Sequence, residues 1–238
     1  MTTRRAILFA AVPLAWQGCD RKRLAGIEFH VRKNGRSGRR YLLIHGDEST
    51  AREVLLEHMR RQEGIAHLVT NTTRTVRFEG GELDPNRLFS RAGAERNLRR
   101  LNPGWEAARL ERALDRLDRE RPALLKAILP PKGGLLVALH NNGRGYSMKD
   151  EIPISERTWL PDEQRPREFL LVTDGADFER LARGPYNVLL QSRPGGEEDG
   201  SLSRLAAREG VRYVNIEAGL GEAARQRAML EFLEKTLS

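Results

Sequence analysis

The stretch Tyr41-Leu42-Leu43-Ile44-His45-Gly46-Asp47-Glu48 indicates how this chain folds. A short apolar run of this kind is typical of a buried strand. The polar residues at its carboxyl end stand where open α/β sheets place their ligand sites. Ser49 or Thr50 can cap a following helix, because apolar residues recur after them at helical spacing. Gly46 would allow the tight backbone turn between the strand and the helix.

His45 and Glu48 would lie on this strand-to-helix turn, where the two side chains can point at one place. A catalytic zinc takes three protein ligands and a water, and a His and a Glu at this spacing can supply two of the three. The alternative is a loop carboxylate beside a histidine that merely caps the helix, since motifs this short often match by chance.

Composition favours one α/β domain, because 238 residues are enough for a sizeable core. The chain has 41 Lys and Arg against 33 Asp and Glu, a net charge of +8 that is spread along the helices. Such a spread is typical of a solvated, ion-paired surface. Nucleic-acid binding needs a concentrated basic stripe with interleaved aromatic residues, so we expect no nucleic-acid partner. The positive charge would favour anionic substrates or envelope polymers.

Residues 1–19 have the layout of an export signal. Arg4 and Arg5 precede an apolar run, residues 6–16, that is too short for a membrane span. The run ends at Gly18-Cys19, which resembles a bacterial lipoprotein processing site, although Trp16-Gln17 departs from the usual pattern. We therefore expect residues 1–19 to be a signal peptide or lipoprotein signal and residues 20–238 to form a single domain. The protein would be exported to the periplasm or envelope, with membrane anchoring if Cys19 is lipidated. A buried amino-terminal element with an inert thiol is the alternative.

The rest of the chain alternates strand and helix patterns. Strands are predicted at residues 26–31, 39–44, 66–70, 135–139, 169–173, 186–191 and 211–216, with turn residues 34–38 joining the first two. One helix is predicted after the turn at His45 and ends near Gly64. Others are predicted at residues 94–129 with a break at Pro103-Gly104, and at residues 177–182, 201–208 and 222–237. Residues 71–93 read as a polar loop. This order predicts a three-layer α/β/α sandwich with a mixed, mostly parallel central sheet.

Three of the predicted strands end in ionisable residues, namely His45 with Glu48, His140, and Glu217. Zinc held by two His and one Glu keeps a position for water and lowers the pKa of that water to about 7. A carboxylate that is not a ligand could then take the proton of the water and pass it to a leaving amine.

The long polar loop contains a second candidate group. Pro85 and Asn86 favour a rigid, turned backbone, from which Arg87 would project. A guanidinium held in this way can bind a carboxylate through two parallel hydrogen bonds. A surface turn with a solvated arginine is the alternative.

Four stretches together resemble the zinc carboxypeptidase superfamily, the M14-like peptidases, with their aspartoacylase and succinylglutamate desuccinylase branch. The stretches, which follow the order of the family, are Ile44-His45-Gly46-Asp47-Glu48, Asp84-Pro85-Asn86-Arg87-Leu88-Phe89, Leu139-His140 and Ile216-Glu217. The resemblance implies one zinc per chain bound by His45, Glu48 and His140. It implies a substrate carboxylate held by Asn86 and Arg87, and Glu217 as general base and then acid. Arg77 would polarise the scissile carbonyl, with Arg74 as a competitor for that role.

The resemblance also has departures. The chain is short for a peptidase of this family, and the Asn-Pro pair that usually precedes the arginine loop of the deacylase branch is absent. A family tyrosine that contacts substrate could be Tyr146 or Tyr186. We therefore expect a zinc-dependent hydrolase that cleaves an amide bond next to a free carboxylate, carboxypeptidase-like, on peptides such as cell-wall peptides. An N-acyl amino acid deacylase is one alternative, and an inactive envelope protein that binds peptides is another.

Overall fold

The computed structural model of this protein describes residues 20–143, 145–193 and 195–238. Its strands are β1 Asp20–Leu24, β2 Ile27–Asn34, β3 Arg40–Leu43, β4 Gly64–Val69, β5 Val76–Phe78, β6 Gly81–Leu83, β7 Leu136–Asn142, β8 Arg157–Trp159, β9 Phe169–Val172, β10 Asn187–Leu190 and β11 Tyr213–Gly219. Its helices are α1 Ser49–His58, α2 Arg91–Leu101, α3 Ala107–Ile128, α4 Met148–Glu151, α5 Gly175–Leu181, α6 Leu202–Arg208 and α7 Ala223–Thr236. Single 3₁₀ turns cover Pro85–Arg87 and Ile152–Ile154.

Within the described residues, nine strands form one sheet in the order β1-β2-β4-β3-β7-β11-β9-β10-β8. The central strands β4, β3, β7 and β11 are parallel neighbours. Strands β9 and β10 are parallel to each other and antiparallel to β11, whereas β2 and β8 run antiparallel to their neighbours. It follows that β1, β3, β4, β7, β8 and β11 point one way and β2, β9 and β10 the other. The predicted mixed, mostly parallel sheet is confirmed.

The central strands carry apolar side chains on both faces of the sheet, and helices cover both faces. One apolar layer joins the sheet to α2, α3 and α6, and the predicted stripe Leu110, Leu114 and Leu117 of α3 is buried in it. The other layer joins the opposite face to α1, α5 and α7. The three-layer α/β/α architecture is therefore present.

Some local predictions differ from the structure. The turn after β2 does not close a hairpin, since β4 lies between β2 and β3 and pairs with both. Helix α1 ends at His58, and Gly64 begins β4 instead of ending the helix. The segment predicted as a polar loop contains the small hairpin of β5 and β6, which the short apolar pattern of three residues per strand did not reveal. The break at Pro103-Gly104 is confirmed, because it separates α2 from α3.

The proposed signal at residues 1–19, including Cys19, lies outside the described residues and stays a prediction. In the part of the chain that the structure does describe, no helix has both the length and the apolar character that a membrane span requires.

Candidate metal centre

The turn between β3 and α1 forms one side of the candidate site. Gly46 packs so closely on the backbone carbonyls of Asn71 and Thr73 that a Cβ atom there would lie 2.3 Å and 2.7 Å from their oxygens. Glu48 occupies the amino-terminal cap position of α1 but makes no capping hydrogen bond with its side chain. The Oδ1 atom of Asn141 accepts from the Ala51 amide instead, at 2.7 Å. The carboxylate of Glu48 is thereby left to face the site.

The ligand atoms of His45, Glu48 and His140 all lie within 4.8 Å of one another, and the three residues are buried. Nδ1 of His45 is 2.8 Å from Oε1 of Glu48, and Nδ1 of His140 is 3.2 Å from the same oxygen. The other carboxylate oxygen of Glu48 is buried and has no hydrogen-bond partner among the described residues. Because buried polar atoms are normally paired, this orphaned oxygen favours a cation at the centre of the triad.

Asp84 fixes the orientation of His45. Its Oδ1 atom lies 2.9 Å from Nε2 of His45, the ring nitrogen on the side away from Glu48. Metal-binding histidines usually donate their second ring N–H to a carboxylate in this way. Asp84 belongs to the quoted stretch that contains Asn86 and Arg87, but nothing in the sequence pairs it with a histidine 39 positions earlier.

His140 is fixed through its backbone and its neighbour. Gln226 of α7 is completely buried. Its amide donates to the His140 carbonyl at 2.9 Å, and its carbonyl accepts from Asn141 at 3.1 Å. A buried glutamine at an interior helix position is the signal that could have pointed to this role, because buried polar side chains are normally hydrogen-bonded.

The charges and hydrogen bonds of the centre stabilise the ionised form of its two carboxylates. Burial raises the pKa of Glu48, but the charge of His140 and the hydrogen bonds of both histidines outweigh it and bring the pKa to about 2. Burial lowers the pKa of His45, but hydrogen bonds to Asp84 and Glu48 outweigh it and raise the pKa to about 9. Despite its burial, Asp84 has a lowered pKa because it is hydrogen-bonded to His45. Both carboxylates therefore stay ionised and keep negative charge beside the centre.

Glu217 lies directly beside the triad, since β11 pairs with β7 and places Glu217 opposite His140. Its carboxylate accepts from Asn142 at 3.1 Å and from Asn215 at 3.0 Å. Burial raises its pKa above the usual value, and the nearby charge of Glu48 adds to this, whereas His140 and the two amides oppose it. A carboxylate with a raised pKa in a cleft is suited to accept and return a proton.

A cleft of about 320 Å³ joins these groups to Asn86 and Arg87. The Oδ1 atom of Asn86 accepts from the Leu202 amide at 3.0 Å, which ties the 3₁₀ turn to α6. Arg87 donates to the Asn86 carbonyl at 2.8 Å and approaches Asp199 at 3.6 Å. The structure thus brings both predicted substrate-binding residues into the cleft, with a carboxylate already near the guanidinium.

Arg77 does not reach this cleft. Alternation along β5 buries Val76 and Phe78 and turns Arg77 outward, where it pairs with Glu82 at 3.0 Å and remains 77% exposed. Arg74, the competitor, lines the cleft and lies 3.8 Å from Glu48 and 3.5 Å from Asp84. The structure therefore places Arg74, and not Arg77, beside the triad.

The structure places the two candidate tyrosines in different parts of the fold. Tyr146 lines the cleft, and its hydroxyl donates to Glu151 at 2.8 Å. Tyr186 packs against Phe232 in the apolar layer under α7. Of these two tyrosines, Tyr146 is therefore the one placed to contact a molecule in the cleft.

Comparisons with known proteins give only distant likenesses. No family model and no curated protein matches this chain. Among solved structures, a product-bound form of the ectoine utilization protein EutE (DoeB) from Ruegeria pomeroyi has 16% identity and a TM-score of 0.44 over 87% of this chain. This chain spans only 59% of the length of that protein.

Two further solved structures, from Shewanella baltica OS155 and Shewanella amazonensis SB2B, are each provisionally described as a metallopeptidase. Each has 13% identity and a TM-score of 0.42, over 91% of this chain and 86% of the other. At these values no residue role in this chain rests on the comparison.

Proposed function

We propose that this protein is a metal-dependent hydrolase that cleaves an amide bond next to a free carboxylate, with peptides as its substrates. The observation that carries the proposal is the meeting of three groups in one cleft. These are the His45, Glu48 and His140 triad, the buried carboxylate of Glu217, and the side chains of Asn86 and Arg87.

The donor set of the triad suits zinc, since two imidazole nitrogens and one carboxylate oxygen are typical of catalytic zinc sites. His45 would bind through Nδ1 while Nε2 keeps its hydrogen bond to Asp84. A bound zinc would supply Lewis acidity, which polarises a carbonyl and lowers the pKa of water.

Each remaining group has a role in the proposed reaction. Arg87, with Asn86 beside it, orients the free carboxylate of the substrate and so fixes which amide bond lies near Glu217. Glu217 accepts a proton from the attacking water and donates it to the nitrogen of the leaving amine as the C–N bond breaks. Arg74, half exposed beside the triad, is placed to stabilise negative charge that develops on the carbonyl oxygen.

The test is the substitution Glu217→Gln, which keeps the shape of the side chain but removes the base. We expect zinc content and peptide affinity to remain near those of the wild type, while turnover falls roughly 10²- to 10⁴-fold. Hydrolysis of a panel of peptides, muropeptides and N-acyl amino acids by the zinc-loaded protein supplies the assay and separates peptidase from deacylase.

Glu234→Gln is the matched control, because Glu234 is a partly buried carboxylate that accepts from the Tyr41 hydroxyl at 2.7 Å, at the far end of β3 from the triad. This control should lower the melting temperature and leave turnover unchanged. Unchanged turnover in Glu217→Gln would overturn the proposed mechanism. A wild-type protein that binds zinc and peptides but hydrolyses none would instead identify an inactive binding protein.

A further inference from the structure

The cleft extends beyond Glu217 across the face of the sheet. Glu217, Asn215 and Tyr213 alternate along β11, so they project from one face of it, and all three line the cleft. Leu171 of β9 lies opposite Asn215, and Gln191 follows β10, the next strand. This part of the cleft is therefore on the side of Glu217 away from His45 and β3.

Two amide oxygens next to Glu217, one on β7 and one on β11, are unpaired among the described residues. Asn142 and Asn215 are buried, and within the described residues neither Oδ1 atom has a hydrogen-bond partner. Their Nδ2 groups donate to Glu217, and that of Asn142 also donates to the Arg167 carbonyl at 2.8 Å. These bonds fix the amides with nitrogen toward the carboxylate, so the oxygens are left as acceptors.

A carboxylate stands in the same region. Glu151, at the end of α4, accepts from the Tyr146 hydroxyl at 2.8 Å and from Nε2 of Gln191 at 2.7 Å. Burial raises the pKa of Tyr146, which keeps that hydroxyl protonated and donating. Both donors are uncharged. Glu151 forms no ion pair with any described residue. Its negative charge is therefore not neutralised by a described neighbour.

The acceptors and the cations of the cleft come from different elements. The cations Arg74, Arg87 and Arg204 come from the loop before β5, the 3₁₀ turn and α6. The acceptors Asn142, Glu151 and Asn215 come from β7, α4 and β11. The cleft therefore offers a ligand both guanidinium groups and hydrogen-bond acceptors.

We infer that the region formed by Asn142, Tyr146, Glu151, Gln191 and Asn215, here called the acceptor pocket, binds a protonated amine on the side chain of the substrate. The inference rests on the proposed function and deepens it, because it names the leaving residue as a basic amino acid of the lysine type. An ammonium offers three donors and no acceptor, which matches a pocket that presents acceptors. An apolar side chain would leave the buried oxygens unpaired. An acidic side chain would be repelled by the carboxylate of Glu151.

Binding of free amino acids tests the inference without relying on turnover. Isothermal titration calorimetry of the zinc-loaded protein would compare L-lysine, L-norleucine and L-glutamate, since norleucine keeps the chain of lysine but lacks the amine. We expect lysine to bind more tightly than norleucine, and Glu151→Gln to reduce that preference roughly 10- to 100-fold, the usual contribution of a hydrogen bond to a charged group. Glu151→Lys should make glutamate the preferred ligand.

Glu163→Gln is the matched control, because it removes the same charge from an exposed residue outside the cleft and should keep the preference for lysine. Thermal melting of every variant checks that it is folded. Equal binding of lysine and norleucine by the wild type would overturn the inference. So would the absence of lysine binding at millimolar concentration, or an unchanged preference in folded Glu151→Gln.

The outcomes also separate the inference from the proposed function. Lysine-selective binding in a protein that hydrolyses no peptide would refute the hydrolase and keep the acceptor pocket. Hydrolysis of peptides with no preference for a carboxyl-terminal lysine over norleucine would refute the pocket and keep the hydrolase.

Discussion

At the scale of single residues, Asp84 decides which nitrogen of His45 can bind a metal. Its hydrogen bond to Nε2 leaves Nδ1 for the metal and holds the ring in place. In Asp84→Asn the acceptor for the Asn86 amide is kept, but the charge that supports the imidazole is lost. We expect zinc affinity to fall roughly 10- to 100-fold, the usual effect of losing such a partner.

Competition with a chelator of known affinity would measure this loss. Asp115→Asn, at an exposed residue of α3, is the control and should bind zinc like the wild type. Equal affinity in Asp84→Asn would mean that the hydrogen bond does not orient a ligand.

The triad could be singled out from the sequence, and so could Asn86 and Arg87 of the cleft, because each follows a strand or stands in a turn with a recognisable pattern. The sequence did not reveal Asp84, Gln226 or the acceptors around Glu151, because their roles depend on contacts between segments distant in the chain. Arg77 and Arg74 differ by three positions, and only the orientation of β5 decides which of them faces the cleft.

At the scale of elements, the turn from β3 to α1 depends on Gly46. A Cβ atom at this position would collide with the backbone of Asn71 and Thr73, which cannot move as a flexible side chain could. Gly46→Ala should therefore displace His45 and Glu48, destabilise the fold by about 1–3 kcal/mol and weaken zinc binding.

Denaturant unfolding and zinc titration would measure both effects. Gly104→Ala is the matched control, since a Cβ atom there would meet nothing within 4 Å. A Gly46→Ala protein as stable and as metal-competent as this control would show that the close packing of the turn is unimportant.

His67 of β4 packs against Phe29 in the sheet and allows a test of how stability depends on pH. Burial, with smaller contributions from Lys22 and Arg40, lowers its pKa from 6.5 to about 4. The unfolded chain therefore binds a proton at higher pH than the folded one, and His67 lowers stability as the pH falls from 6.5 toward 4. A shift of this size corresponds to roughly 3 kcal/mol.

We expect the free energy of unfolding to fall less in His67→Leu than in the wild type between pH 6.5 and 4. Above pH 7 the difference between the two free energies should be constant. Urea unfolding of both proteins across this range would show it. Parallel stability curves for the two proteins would contradict the buried, neutral state of His67.

At the scale of the whole molecule, the sheet brings the residues of the candidate centre together at one side of the fold. The neighbouring strands β3, β7 and β11 each carry one part of the centre at or near their carboxyl ends. The fold class was predictable because the apolar strand runs and amphipathic helices alternate along the chain. The insertion of β4 between β2 and β3 was not, because strand order depends on long-range pairing that local turn residues do not specify. Export through residues 1–19 stays a prediction.

The central claim is that His45, Glu48 and His140 together bind one metal ion, and metal analysis tests it most directly. Zinc-loaded protein, dialysed to remove loosely held metal, should contain about one zinc per chain. His140→Ala should contain far less, whereas His58→Ala, which changes a histidine outside the cleft, should match the wild type. Full zinc occupancy in His140→Ala, or no retained zinc in the wild type, would contradict the account.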